Sequence, residues 1–231
     1  LLVVGANIVI APSSRYDGDK EWSAQTWVYN TGLVYGEGNE ANPFFNIVSG
    51  VPAEDANGHQ WYEAAYDTAT VGYNEEKQEP IKWEVRNAPF HSAENYNGRP
   101  SYQWTTNEVM ADIYFRRFFT TDRLLSGDVY LSCGHDDAPC EYYLNGVLIY
   151  QRTGWEIDHW NYNTDESGEV TDSFPTYQKG WDDNAYIKLT DEQKALIKLN
   201  GEQNMLAVHV HQNWGGAFAD CGLYTSVQGG V

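Results

Sequence analysis

The feature that most narrows what this chain can fold into lies at residues 141–150. Glu141-Tyr142-Tyr143-Leu144 and Val147-Leu148-Ile149-Tyr150 flank Asn145-Gly146. Two β-prone runs joined by Asn-Gly predict a hairpin closed by a tight type I′ turn. Both central residues of that turn need positive φ, which Asn and Gly tolerate best. Other segments repeat the two-residue period of a strand. Across 112–119, Ile113, Phe115 and Phe119 share one face, and across 128–133 Val129, Leu131 and Cys133 do the same. Residues 205–211 alternate as well, and Cys221-Gly222-Leu223-Tyr224-Thr225 is expected to close a sheet. One helix stands out against this background. Thr190 can cap it, Gln193 sits where a capping-box partner belongs, and Asn200-Gly201 is its stop.

The pattern predicts an all-β chain. Its 231 residues suit a single large β-sandwich domain, 1–231, with long loop insertions and one short helix. Two long polar, aromatic stretches, about 36–107 and 154–181, are read as such loops. Opening residues 1–10 form a Val/Ile-rich run too short to span a membrane and without a basic flank, so they are read as a strand. The chain is expected to be a processed protein or an excised piece of a larger one.

Charge excludes some partners. With 33 acids against 14 bases the net charge is −19, which repels a phosphate backbone and an anionic membrane surface alike. Three cysteines, Cys133, Cys140 and Cys221, show no zinc spacing. Cys133 and Cys140 flank a short polar turn and can pair if that turn closes a hairpin. The odd count leaves one thiol over, so cysteine usage alone does not fix the redox compartment.

Several short motifs follow one another in order along the chain. They are Trp27-Val28-Tyr29, Trp61-Tyr62, Ala88-Pro89-Phe90 and Trp104-Thr105-Thr106, then Arg116-Arg117-Phe118, His135-Asp136-Asp137 and Tyr143-Leu144-Asn145-Gly146. They end with Asn204-Met205-Leu206-Ala207-Val208-His209, Gly215-Gly216 and Asp220-Cys221-Gly222-Leu223. This order is similar to that of galactose-binding-like jelly-roll domains, such as the sugar-binding domain of glycoside hydrolase family 2 and accessory modules of gut bacterial carbohydrate-active enzymes. The resemblance implies a non-catalytic module of a secreted or cell-envelope (periplasmic or outer-surface) polysaccharide-processing protein. Its partner would be a glycan or the catalytic domain of the parent enzyme. Many domains of this kind brace a catalytic domain and bind no sugar.

Candidate sites follow from residue chemistry. A sugar site needs exposed aromatic faces beside amides or carboxylates. Trp155, Trp160 and Tyr162 in one loop, and Asn213 with Trp214 in another, have that composition. For both loops the competing reading is core plugs packed under the turn. Asp17, Asp19 and Glu21 form an Asp-x-Asp-x-Glu run that suits a structural calcium or a plain polar turn. His209 and His211 share a strand face at a spacing that can chelate a metal, with Asp220 or His135 as third ligand. The competing reading is one buried, hydrogen-bonded imidazole and one at the loop edge. His135-Asp136-Asp137 is read chiefly as turn-fixing. The alternative for the whole chain is a small glycoside hydrolase or lyase with acids in the long loops, Glu156, Asp158 and Asp165 foremost.

Overall fold

The computed structural model describes residues 7–11, 44–70, 72–74, 79–88, 90–96, 99–106, 110–121, 128–136, 139–152, 184–212 and 215–226. These carry sixteen strands and one short helix. The strands are β1 (Asn7–Ala11), β2 (Phe44–Ser49), β3 (Gly72–Asn74), β4 (Glu79–Ile81), β5 (Glu84–Asn87), β6 (Phe90–His91), β7 (Asn95–Tyr96), β8 (Arg99–Pro100) and β9 (Tyr102–Gln103). There follow β10 (Ala111–Thr120), β11 (Val129–Asp136), β12 (Cys140–Leu144), β13 (Val147–Arg152), β14 (Asn184–Lys188), β15 (Gln203–Gln212) and β16 (Phe218–Ser226). The helix α1 is Asp191–Lys194.

Two six-stranded sheets dominate. One runs β14-β11-β16-β6-β9, with β1 also paired to β16, and the other runs β13-β12-β15-β10-β2-β5. Their pairings are antiparallel except β6 with β9. From β10 to β16 the chain passes back and forth between the sheets, so the inward faces of both are built together. One apolar core draws on both: Val129, Leu131, Cys133, Ala219, Cys221 and Leu223 from the first, Ile113, Phe115, Tyr142, Leu144, Val208 and Val210 from the second. Every one is an alternate residue of its strand, as the two-residue period requires. Tyr142 is wholly buried, and its hydroxyl donates to Gly134 O at 2.8 Å, tying β12 of one sheet to β11 of the other. Burial pushes this phenol far above its ordinary pKa, so it remains a neutral donor.

The Asn145-Gly146 turn forms as expected, with φ of 50° and 84°. Asn145 does more than turn the chain. Its Nδ2 donates to Leu196 O and to Asn204 Oδ1, and its Oδ1 accepts from Met205 N. Asn204 in turn accepts from Lys198 N and donates to Lys198 O. Two motifs 60 residues apart thereby lock the hairpin, the 195–202 segment and β15 together.

Several expectations need correction. The capping box is present, with Thr190 Oγ1 accepting from Gln193 N and Gln193 Oε1 accepting from Thr190 N. The helix nevertheless lasts one turn and ends well before Asn200-Gly201, because it buries no side chain that could stabilise further turns. Segment 221–225 belongs to an interior strand, β16, flanked by β11 and by β1 and β6, and does not close the sheet. Cys133 and Cys140 do not face each other across a hairpin, since β11 and β12 lie in different sheets, and none of the three cysteines is in a disulfide. The stretch 36–107 is no plain loop. It contributes eight strands, and its Trp61, Tyr66 and Ile81 cover the outer face of the second sheet.

Candidate functional site

The outward face of the second sheet combines an apolar aromatic half and a polar half. Strand alternation puts Asp112, Tyr114, Arg116 and Phe118 of β10, Glu141 and Tyr143 of β12, and Met205, Ala207, His209 and His211 of β15 on that side. Trp61, Tyr66 and Ile81 pack over Tyr114, Met205 and Ala207 as a second apolar cluster. Trp61 meets Tyr62, Tyr114 and Tyr143 edge-on, and Tyr62 stacks on Tyr143 with ring centres 4.3 Å apart.

Arg116 fastens this cover. Only 1% of its surface is exposed, and its Nη2 donates to Glu63 O at 3.0 Å. The guanidinium lies over the rings of Tyr66 and Phe118, each 5.4 Å away. Among the described residues no carboxylate pairs with it, and burial lowers its pKa to about 10, so it stays charged at neutral pH. Asp55 organises the same cover. Its carboxylate accepts from the backbone of Asn57, His59 and Asp67 and meets His59 Nδ1. Burial pushes its pKa up, but these hydrogen bonds outweigh burial and hold it well below the ordinary range.

The polar half is an acid–imidazole array. Asp112 Oδ1 takes His209 Nε2 at 2.7 Å and His211 Nδ1 at 2.9 Å. On the other side of His209, Glu141 Oε2 lies 3.6 Å from Nδ1, a charge contact too long for a hydrogen bond. Tyr114 stacks on the His209 ring at 4.3 Å and 11°. Carboxylates at both ring nitrogens fit an imidazolium. Burial opposes charge on His209, yet Asp112 and Glu141 together raise its pKa above the ordinary value. Burial likewise opposes the Asp112 carboxylate, but the two histidines hold its pKa far down. Burial and the nearby Glu141 push Tyr143 up to about 12. The array can hold charge, join three strands and offer partly exposed carboxylates for hydrogen bonding.

The two histidines thus share a face as the spacing requires, but their acidic partner is Asp112, not Asp220 or His135. Those two residues sit on the other sheet, buried, with Asp220 Oδ1 accepting from Cys221 N. Among the described residues no group of three or more His, Cys, Asp or Glu is arranged to hold a metal ion. The signal for Asp112 was an acid opening an apolar, aromatic strand. Glu141 could have been placed by its two-residue offset from Tyr143. Trp155, Trp160, Tyr162, Asn213 and Trp214, the acids Glu156, Asp158 and Asp165, and Asp17, Asp19 and Glu21 all lie outside the described residues. Of the described helix, none of it is long and apolar enough to cross a membrane.

No protein-family model and no curated protein matches the chain. Among solved structures it is similar to a β-glucuronidase of Faecalibacterium prausnitzii, with 14% identity, TM-score 0.40, and coverage of 81% of this chain and 31% of that one. A Ruminococcus gnavus β-glucuronidase gives 8% identity and TM-score 0.42 over 81% of this chain and 28% of that one. A glycosyl hydrolase family 2 member from Bacteroides cellulosilyticus gives 13% identity and TM-score 0.39 over 79% of this chain and 20% of that one. The chain therefore spans less than a third of the length of each of these proteins.

Proposed function

We propose that this chain is a non-catalytic, galactose-binding-like jelly-roll module of a secreted carbohydrate-processing protein, which binds glycan or braces the catalytic domain. The observation that carries the reading is the engagement of the resemblance motifs with one another. Tyr143-Leu144-Asn145-Gly146 and the strand beginning at Asn204 are joined through the Asn145–Asn204 hydrogen bond of 2.9 Å. The motifs therefore serve the framework of the fold, and recognition falls to the loops between strands.

The acid–imidazole array supports a supporting-wall role for the outer face of the second sheet. Its histidines are engaged by Asp112, and its aromatic rings stack on one another instead of standing free. Glycan recognition then rests with Trp155, Trp160, Tyr162, Asn213 and Trp214. Affinity electrophoresis against a panel of soluble polysaccharides tests this. Retardation of the parent chain, lost in Trp155→Ala or Trp160→Ala, supports a sugar site. No retardation by any glycan leaves the bracing role. Glycosidase or lyase activity of the purified chain overturns the proposal.

A further inference from the structure

Cys133 and Cys221 are register partners on the neighbouring antiparallel strands β11 and β16. Both side chains point into the core, since Val129 and Leu131 on one strand and Ala219 and Leu223 on the other are buried on the same face. Directly opposed residues in such a ladder have Cα atoms about 4.5 or 5.5 Å apart. Either spacing lies within the Cα range that a disulfide spans, about 4.4–6.8 Å. Cys140 belongs to the same core cluster but rises from the opposite sheet, where the strand ladder does not aim it at either partner.

We propose that Cys133 and Cys221 form a cross-strand disulfide when the chain folds in an oxidising environment, leaving Cys140 as a buried thiol. The oxidant is a small-molecule disulfide such as oxidised glutathione. A thiolate of one cysteine attacks it and displaces one glutathione thiolate, giving a mixed disulfide. The second thiolate attacks that mixed disulfide and displaces the other glutathione. Two protein thiols lose two protons and two electrons, and one oxidised glutathione becomes two reduced molecules. All three sulfurs are sealed from solvent in the folded chain, and burial raises the Cys133 thiol to about 12. Exchange is therefore confined to the unfolded or partly folded chain, and the redox state present at folding is retained.

The test is refolding of the parent chain from urea in oxidised or reduced glutathione, alkylation in denaturant, and peptide mapping by mass spectrometry. The expected product of oxidising refolding contains a peptide pair linked through Cys133 and Cys221, with Cys140 alkylated. Its thermal midpoint lies roughly 10 °C above that of the reduced form, because the bond closes a loop of about 90 residues. Cys140→Ser retains the link. The folded, reduced protein, given the same oxidant without denaturant, shows all three cysteines alkylated after later denaturation. A link through Cys140, or three alkylated thiols after oxidising refolding, overturns the proposal.

Discussion

Replacing Asn204 by alanine probes the junction where the hairpin, the 195–202 segment and β15 meet. Asn204 is 1% exposed. Its Oδ1 accepts from Lys198 N at 2.7 Å and Asn145 Nδ2 at 2.9 Å, while its Nδ2 donates to Lys198 O at 2.8 Å and, more weakly, to Glu202 O at 3.3 Å. Three good hydrogen bonds at about 1 kcal/mol each place the expected loss of stability near 3 kcal/mol. Asn145→Ala also loses three side-chain bonds and places at φ 50° a residue that tolerates the left-handed region less well than asparagine, which adds about 1 kcal/mol. Asn145→Gly keeps the turn free of that strain and isolates the hydrogen bonds. Because the two asparagines share one bond, the double alanine variant should lose at least about 1 kcal/mol less than the sum of the single losses. Urea unfolding followed by far-ultraviolet circular dichroism gives all four values. Losses under about 1 kcal/mol for Asn204→Ala, or strict additivity in the double variant, would refute the claim that these residues form one network.

Further expectations concern the outer face. His209 titrates above 6.5 in the folded protein, so its contribution to stability is complete below that pH and fades as pH rises through the folded value. Unfolding free energy measured at pH 6 and pH 9 should fall between the two in the parent and fall less in His209→Gln. Asp112→Asn removes the negative charge shared by both imidazoles, so the His209 pKa read by proton NMR should move down; no movement would place its partner elsewhere. Arg116→Ala leaves Glu63 O without its buried donor and empties the space between Tyr66 and Phe118, a loss of about 3 kcal/mol. Limited proteolysis should then cut first within 51–70, before the strands of either sheet.

The sequence determined what depends on near neighbours along the chain. Asn145-Gly146 dictates a turn because both residues accept positive φ, and alternation assigns Ile113, Phe115, Val129, Leu131 and Cys133 to a core face because successive side chains of a strand point opposite ways. Thr190 and Gln193 specify a helix start for the same local reason, since a capping box spans only four residues. Tertiary structure decided what depends on residues far apart. Asp112 serves His211 across 99 positions, Arg116 reaches Glu63 across 53, and Trp61, Tyr66 and Ile81 become a cover only because the sheet beneath offers them Tyr114, Met205 and Ala207. It also decided which sheet each strand joins, and so removed Cys133 from Cys140 and set it opposite Cys221. A two-residue period states which face a side chain takes but not which strand will lie beside it, because pairing is settled by burial of the whole face at once.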